Sequence, residues 1–369
     1  MTAVLIENMM NEALLEGVFP GAVLLSASGG SIQFHQAFGR TKNHSGQVVT
    51  DQVFFDLASL TKPLATTLAI MKLIQWRRLQ LSDRLGHLLP VFEKTDKAGI
   101  EVRHLLTHTS GLPAYRPYYE ILAGVPFTER GKHLRQLLVQ EPLTASPMVH
   151  TCYSDIGFMI LAWIIEHLSG KRLDTFVTEE IYGPLGIGQL FFPGVSEAGE
   201  PRAEAAHFTY AATEVCPWRM RLIEGVVHDD NAYVMGGVAG HAGLFGTSAG
   251  VYQLLKVLLS VYTGKGESAI FDRRLIRLFL TPQEGTGRAL GFDLPSKSHS
   301  SSGTYFSESS VGHLGFTGTS FWIDLERETI VILLTNRVHP TRKNEKIKAF
   351  RPKIHDAVME TILSGKKNF

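Results

Sequence analysis

Cysteine is scarce in this chain: the 369 residues hold 2. No disulfide framework is therefore expected to carry the fold. No apolar run approaches the ~18 residues that a membrane-crossing helix requires. Neither sign of charge dominates, since 36 Lys and Arg face 35 Asp and Glu for a net charge of +1. Long runs of one sign are missing as well. Nothing in the charge pattern favours a nucleic-acid partner or an anionic membrane surface. No phosphate-cradling glycine motif of the P-loop or dinucleotide kind stands out, and no cofactor is expected. No internal repeat is visible. The first residues, Met1 to Asn8, contain no Lys or Arg, and Glu7 interrupts their apolar run. They do not read as a secretory leader, so the expected location is the cytoplasm.

What is present is core-forming material. Hydrophobic residues make up 44% of the chain and charged residues 19%, which suits a soluble enzyme with a sizeable core. The length exceeds one small domain, so one large domain or two interleaved ones are expected. Leu5, Met9, Ala13, Leu14 and Val18 suggest an amphipathic first helix. Gly21 to Ser28 and Ser31 to Gln36 flank Gly29-Gly30, a hairpin signal. A second hairpin is expected from Thr317 to Asp324 and Thr329 to Asn336 around the turn Leu325 to Glu328. Ile354 to Leu363 reads as a closing helix, and helical patterns dominate from Leu64 to Val234. The expected fold class is α+β. An antiparallel sheet with flanking helices is built from both chain ends, 1–63 and 235–369, and a mostly helical region, 64–234, is inserted between. The site is expected in the cleft where the two meet.

Ser59-Leu60-Thr61-Lys62 carries the chemistry. It follows the largely apolar run Val53 to Ala58 and opens the long apolar stretch Leu64 to Ile74. A serine and a lysine three apart at a helix start share a face. An amine beside a hydroxyl can turn it into a nucleophile. Pro63 fits a first helical turn, which puts the helix start close to Ser59. A plainer reading makes Ser59 an N-cap. A second Ser-x-x-Lys, Ser364 to Lys367, lies in the polar tail and reads as accidental. Tyr153-Ser154-Asp155 is the one place where a tyrosine is followed two residues later by Asn or Asp. A phenol close to an ammonium loses its proton more easily and can then serve as a general base. The same residues also suit a turn leading into a helix over Phe158 to Leu168. Three segments offer a cationic residue two before a glycine: Lys97-Ala98-Gly99, His241-Ala242-Gly243 and His313-Leu314-Gly315. The first reads as a turn and the second is too glycine-rich for a strand. His313 opens the strand pattern. Gly315 lets backbone approach a ligand, and the N–H of Phe316 can join that of Ser59 as an oxyanion hole.

Together these residues resemble the serine β-lactamase-related superfamily, in the branch of class C β-lactamases, esterases and low-molecular-weight penicillin-binding proteins. Asp56 to Pro63, Val102 to Pro113, Gly225 to Ala232, Gly236 to Phe245 and Gly312 to Thr319 all match that branch, in its order. The resemblance implies a β-lactamase/transpeptidase-like fold and a serine hydrolase that forms an acyl-enzyme on an amide or ester carbonyl. It implies Ser59 as nucleophile, Lys62 as its proton partner and Tyr153 as base. Asp155, His313, Gly315 and Phe316 then stand at substrate-binding positions. Asp155 replaces the usual Asn, and His313 the frequent Lys. An anionic Asp155 would repel a substrate carbonyl or hold Lys62 charged. A neutral His313 attracts a carboxylate less than Lys does. Both departures argue against efficient antibiotic hydrolysis and leave the acyl-transfer chemistry in place. The expected partner is a small-molecule or peptidoglycan-derived substrate.

Other residues have plainer readings. His104 and His108 are four apart, yet capping and packing around Thr109-Ser110-Gly111 outweighs zinc. His228-Asp229-Asp230 reads as a structural loop before a metal site. Cys152 reads as a buried small residue, and Ser296 to Ser310 as a flexible loop. Two competing functions remain: a non-catalytic binding or assembly protein on the same fold, and a zinc hydrolase using His104, His108 and His228.

Overall fold

The structure is a computed structural model and describes residues 2–43 and 45–366. Lys367, and with it the second Ser-x-x-Lys, lies outside the described residues.

Gly21–Ser28 is buried along its whole length because it is an inner strand of a five-stranded antiparallel sheet, paired on both sides. The order is Ser31–Gly39, Gly21–Ser28, Thr329–Thr335, Ser320–Asp324, Val311–Leu314. Alternate side chains of a strand point to opposite faces, and the two faces enter different cores. Val23, Leu25, Ile330, Ile332 and Leu334 join the large core. Ala22, Leu24, Val331 and Leu333 pack with Ile6, Met10, Ile354 and Val358 from the two terminal helices. Those helices are Thr2–Leu15 and Ile347–Lys366. The first helix was expected to bury Leu5 and Met9. It buries Ile6 and Met10 as well as the expected Ala13, with Met9 and Leu14 half-buried against the same core, while Leu5 faces outward, because the sheet meets a stripe shifted toward Ile6 and Met10.

Gly29 and Gly30 turn the first hairpin with φ of 58° and 82°, a region glycine enters without steric cost. The second hairpin is shorter than the sequence pattern. Residues 315–318 form a turn, closed by Gly318 N–H donating to the Gly315 carbonyl at 3.0 Å, and the strand begins at Ser320. Val311–Leu314 pairs antiparallel with it. Ser296–Ser310 is tied down: Thr304 N–H donates to Asp356 at 2.6 Å and Ser307 N–H to Asp324 at 3.0 Å. Ser302 and Ser310 are fully buried.

Residues between the chain ends are largely helical. Asp155–Ser169 is apolar around most of its surface and sits deep in the large core. Ser154 caps it by accepting from Gly157 N–H at 3.2 Å, and Gly170 ends it with φ 73°. Tyr153 therefore stands just before a fixed helix start. Among the described residues, no helix is long and apolar enough to cross a membrane. Both cysteines are free; Cys216 is buried, whereas Cys152 is only half-buried.

Candidate active site

Ser59 is presented by a tight turn. After the strand Phe55–Asp56, the chain enters a short 3-10 turn, Ala58–Leu60, and then a widened helical turn, Lys62–Thr67, that continues as the helix Leu68–Gln75. Ala58 has φ 48°, a left-handed conformation that costs an ordinary residue about 1–2 kcal/mol. Asp56 holds it there. Its Oδ1 accepts from Ala58 N–H at 2.8 Å, and its Oδ2 accepts from His228 N–H at 2.7 Å. The Thr61 hydroxyl donates to the Ala58 carbonyl at 2.6 Å. The Ser59 hydroxyl does not cap the helix; it accepts from the Lys62 ammonium.

Lys62 has a fully buried side chain. Its ammonium donates to Ser59 Oγ at 3.0 Å, Asp155 Oδ1 at 2.7 Å and the His241 carbonyl at 3.3 Å. Burial works against the charge, but the Asp155 carboxylate and then Tyr153 outweigh it, and Lys62 is held above the usual lysine range. Of the two expected effects of Asp155, holding the lysine charged is the one realised.

Tyr153 lies beside both groups. The Lys62 ammonium is 4.7 Å from its ring centre, and Lys62 and Ser59 both ease ionisation of its hydroxyl. The sequence pointed to an easily ionised phenol. Burial instead pushes Tyr153 up further than Lys62 pulls it down. Its resting form is the neutral phenol, with a cation ready to stabilise charge that develops during reaction. His108 stacks on it at 4.5 Å and receives Ser154 N–H on Nδ1 at 2.9 Å.

His313 completes the wall, with its ring centre 5.9 Å from that of Tyr153. Burial first, then Lys62 and Arg288, push it down to about 4 against the pull of Asp293. It is neutral at neutral pH. Its Nδ1 bonds the Leu314 carbonyl at 2.9 Å, and the buried Nε2 has no protein partner. The turn after it is sewn to the serine turn. Thr317 and Thr319 hydroxyls donate to the Asp56 and Leu57 carbonyls at 2.7 and 3.1 Å. A Cβ on Gly315 would lie 2.7 Å from the Leu57 carbonyl and 2.0 Å from the Thr319 hydroxyl. Only glycine fits this approach, which brings Phe316 next to the serine turn.

Residues the sequence reading passed over gather here too. His241 belongs to the glycine-rich segment rejected as a strand. It is no strand, yet its carbonyl reaches Lys62 and its Nε2 lies 2.9 Å from Asp229 Oδ1. Asp155, Asp229 and His241 place ligand-capable atoms within 4.8 Å of one another. Arg288 lies with its guanidinium 5.4 Å from the Tyr153 ring centre, paired to Asp293. Nothing local marks Arg288, which arrives from a loop. Asp229 and His241 were visible as family-like segments without a role. The three histidines weighed as zinc ligands go elsewhere. His104 closes a capping box with Glu101, His108 stacks on Tyr153, and His228 pairs with Glu214.

The family model described as "Beta-lactamase" matches residues 5–354. The chain belongs to the beta-lactamase family. A putative D-alanyl-D-alanine carboxypeptidase of Escherichia coli (strain K12) is 30% identical to it, covering 87% of this chain and 79% of the relative. An N-acetylmuramyl-L-alanine amidase of Bacillus subtilis (strain 168) is 31% identical, covering 90% and 80%. Among solved structures, the hydrolase EstCE1, with promiscuous acyltransferase activity, superposes with a TM-score of 0.75 at 20% identity over 97% of this chain and 98% of its own. The octameric penicillin-binding protein homologue from Pyrococcus abyssi gives 0.74 at 21% over 99% and 78%. This beta-lactamase family member is thus a serine hydrolase acting on amide or ester bonds, with the mixed helix and antiparallel-sheet fold of its neighbours.

Proposed function

We propose that this hydrolase opens an amide of a peptidoglycan-derived substrate by acylation of Ser59. The observation that carries the reading is the Lys62 ammonium 3.0 Å from Ser59 Oγ and 4.7 Å from the Tyr153 ring centre. Ser59 Oγ attacks the carbonyl carbon while its proton passes to the Tyr153 oxygen. Tyr153 gives its own proton to the leaving nitrogen, the C–N bond breaks, and the acyl group stays on Ser59. Water repeats the sequence in reverse and frees the acid. Lys62, kept charged by Asp155, stabilises negative charge on Tyr153 and Ser59 during the transfer. The N–H groups of Ser59 and Phe316 receive the oxyanion.

Support for a peptidoglycan fragment comes from the carboxypeptidase and amidase relatives and from the charge beside Tyr153. His313 is neutral, so Arg288 is the cation available to a substrate carboxylate there. Ser59→Ala tests the reading. It should lower turnover of muramyl peptides and D-alanyl peptides by roughly 10⁶-fold and abolish the covalent adduct seen by mass spectrometry with a fluorophosphonate. Undiminished turnover in that variant, or a wild-type protein that forms no adduct and acts only as a binder, would sink it.

A further inference from the structure

The groups around Tyr153 and those around Asp155 are different sets. Tyr153 is ringed by His108, His313 and Arg288. Asp155 adjoins Asp229 and His241, and its backbone N–H donates to the Ala114 carbonyl at 2.9 Å, which sets Tyr115 at its side. Since Tyr153 protonates the leaving nitrogen, the retained acyl half must extend the other way, past Asp155 and Tyr115. That direction is aromatic. Tyr115 is 43% exposed and Trp218 is 40% exposed. Tyr119, four residues after Tyr115, has its ring centre 4.9 Å from that of Trp218, edge to face.

This rim is built rigidly onto the site. Asn231 accepts from Tyr119 N–H at 2.8 Å and donates to the Arg116 carbonyl at 2.8 Å. The segment that carries Asn231 also carries Asp229 and His228, and His228 is tied to Asp56 beneath the serine turn. Trp218 tops the hairpin formed by Val215–Cys216 and Arg221–Leu222. Arg219 anchors that hairpin through the Val227 and His228 carbonyls, both at 2.8 Å, and Asp230 at 2.7 Å. Its guanidinium lies 3.9 Å from the Tyr233 ring centre, and Tyr233 in turn meets Trp218 at 6.1 Å. An exposed aromatic surface held this firmly costs little ordering entropy when a ligand lands on it. The nearby polar groups, Asp155 and Asp229, are carboxylates that accept hydrogen bonds. Flat apolar faces beside hydroxyl acceptors suit a pyranose ring, which has apolar C–H faces and an equator of O–H donors.

We propose that Tyr115, Tyr119 and Trp218 form a subsite for a neutral hexose attached to the acyl half of the scissile amide. The inference rests on the proposed acylation of Ser59 and adds to it the orientation and chemistry of the substrate: sugar on the Asp155 side, peptide carboxylate on the Arg288 side. It favours a muramyl amide over a sugar-free D-alanyl peptide.

The test compares wild type with Trp218→Ala on four substrates: muramyl dipeptide, an acetylated D-alanyl-D-alanine peptide, p-nitrophenyl acetate and p-nitrophenyl octanoate. The expected result is a rise of about tenfold or more in KM for muramyl dipeptide, little change in kcat, and unchanged hydrolysis of the other three. Calorimetry of Ser59→Ala protein with muramyl dipeptide should show saturable binding that Trp218→Ala weakens in the double variant. Equal losses on the sugar-free peptide, a loss confined to the octanoate ester, or no binding by the Ser59→Ala protein would each overturn the subsite. Acetate-ester turnover that still depends on Ser59 keeps such a failure distinct from a failure of the acylation reading.

Discussion

Lys62 and Asp155 form a buried ion pair at 2.7 Å in which the lysine side chain has no exposure at all. The pair makes Lys62 a fixed cation, not a resting base. Replacing Asp155 with Asn removes the charge that raises Lys62. The alkaline limb of the kcat profile, set by loss of the Lys62 proton, should then move to lower pH, and kcat should fall by at least tenfold. Steady-state rates of both proteins between pH 6 and 11 check this. A limb that stays in place would show that Lys62 owes its charge to other groups.

Asp56 should matter for stability as much as for rate. Its buried carboxylate accepts the backbone N–H groups of Ala58 and His228. Asp56→Ala strands both donors, at about 1–3 kcal/mol each, and releases the left-handed Ala58. Urea denaturation should show a loss of roughly 2–5 kcal/mol, with fluorophosphonate labelling of Ser59 slowed in the protein that remains folded.

Gly315→Ala introduces a methyl against the Leu57 carbonyl and the Thr319 hydroxyl. The strand end must then move away from the serine turn. Displacing one oxyanion donor costs about 10²–10³ in kcat, so a loss of that size is expected, with KM changing less. Retained kcat would mean that Phe316 does not hold the oxyanion.

Burial pushes His313 down to about 4 and His355 down to about 3. Both are neutral in the fold, while an unfolded chain protonates them near pH 6.5. Between about 6.5 and 4 the unfolded state therefore binds more protons, and stability falls as pH falls. The slope approaches 1.4 kcal/mol per pH unit for each histidine. Urea midpoints at pH 7.5, 6 and 5 should decline in that order. His355→Gln should flatten the decline without touching the active site.

Arg288→Ala should raise KM for peptides with a free carboxylate by about tenfold or more, and should do less to esters that carry none. Kinetics on a peptide and its amidated twin separate the two. Equal effects on both would show that Arg288 only supports the Tyr153 ring.

Much of the site was legible because its chemistry sits in short segments. Ser59 and Lys62 share one turn. Tyr153 precedes a helix that Ser154 caps, and His313 sits in the short strand that stops just before Gly315. The hairpin around Gly29-Gly30 was equally local. Harder to read were quantities set by burial and by encounters across the chain. The first helix buries Ile6 and Met10 because the sheet meets that stripe. Tyr153 stays protonated because desolvation exceeds the pull of one ammonium, a balance of environments that no spacing records.

The sequence by itself picked out Ser59, Lys62 and Tyr153 as candidate nucleophile, amine and phenol, and the sheet made from both chain ends, because local periodicity and motif order encode them. Only the tertiary structure decided which proton each group keeps. It brought Asp155 onto Lys62, set Asp229 against His241, and delivered Arg288 to the Tyr153 ring. The physical reason is that charge states depend on distance and exclusion of water, and both arise when segments far apart in the chain are packed together.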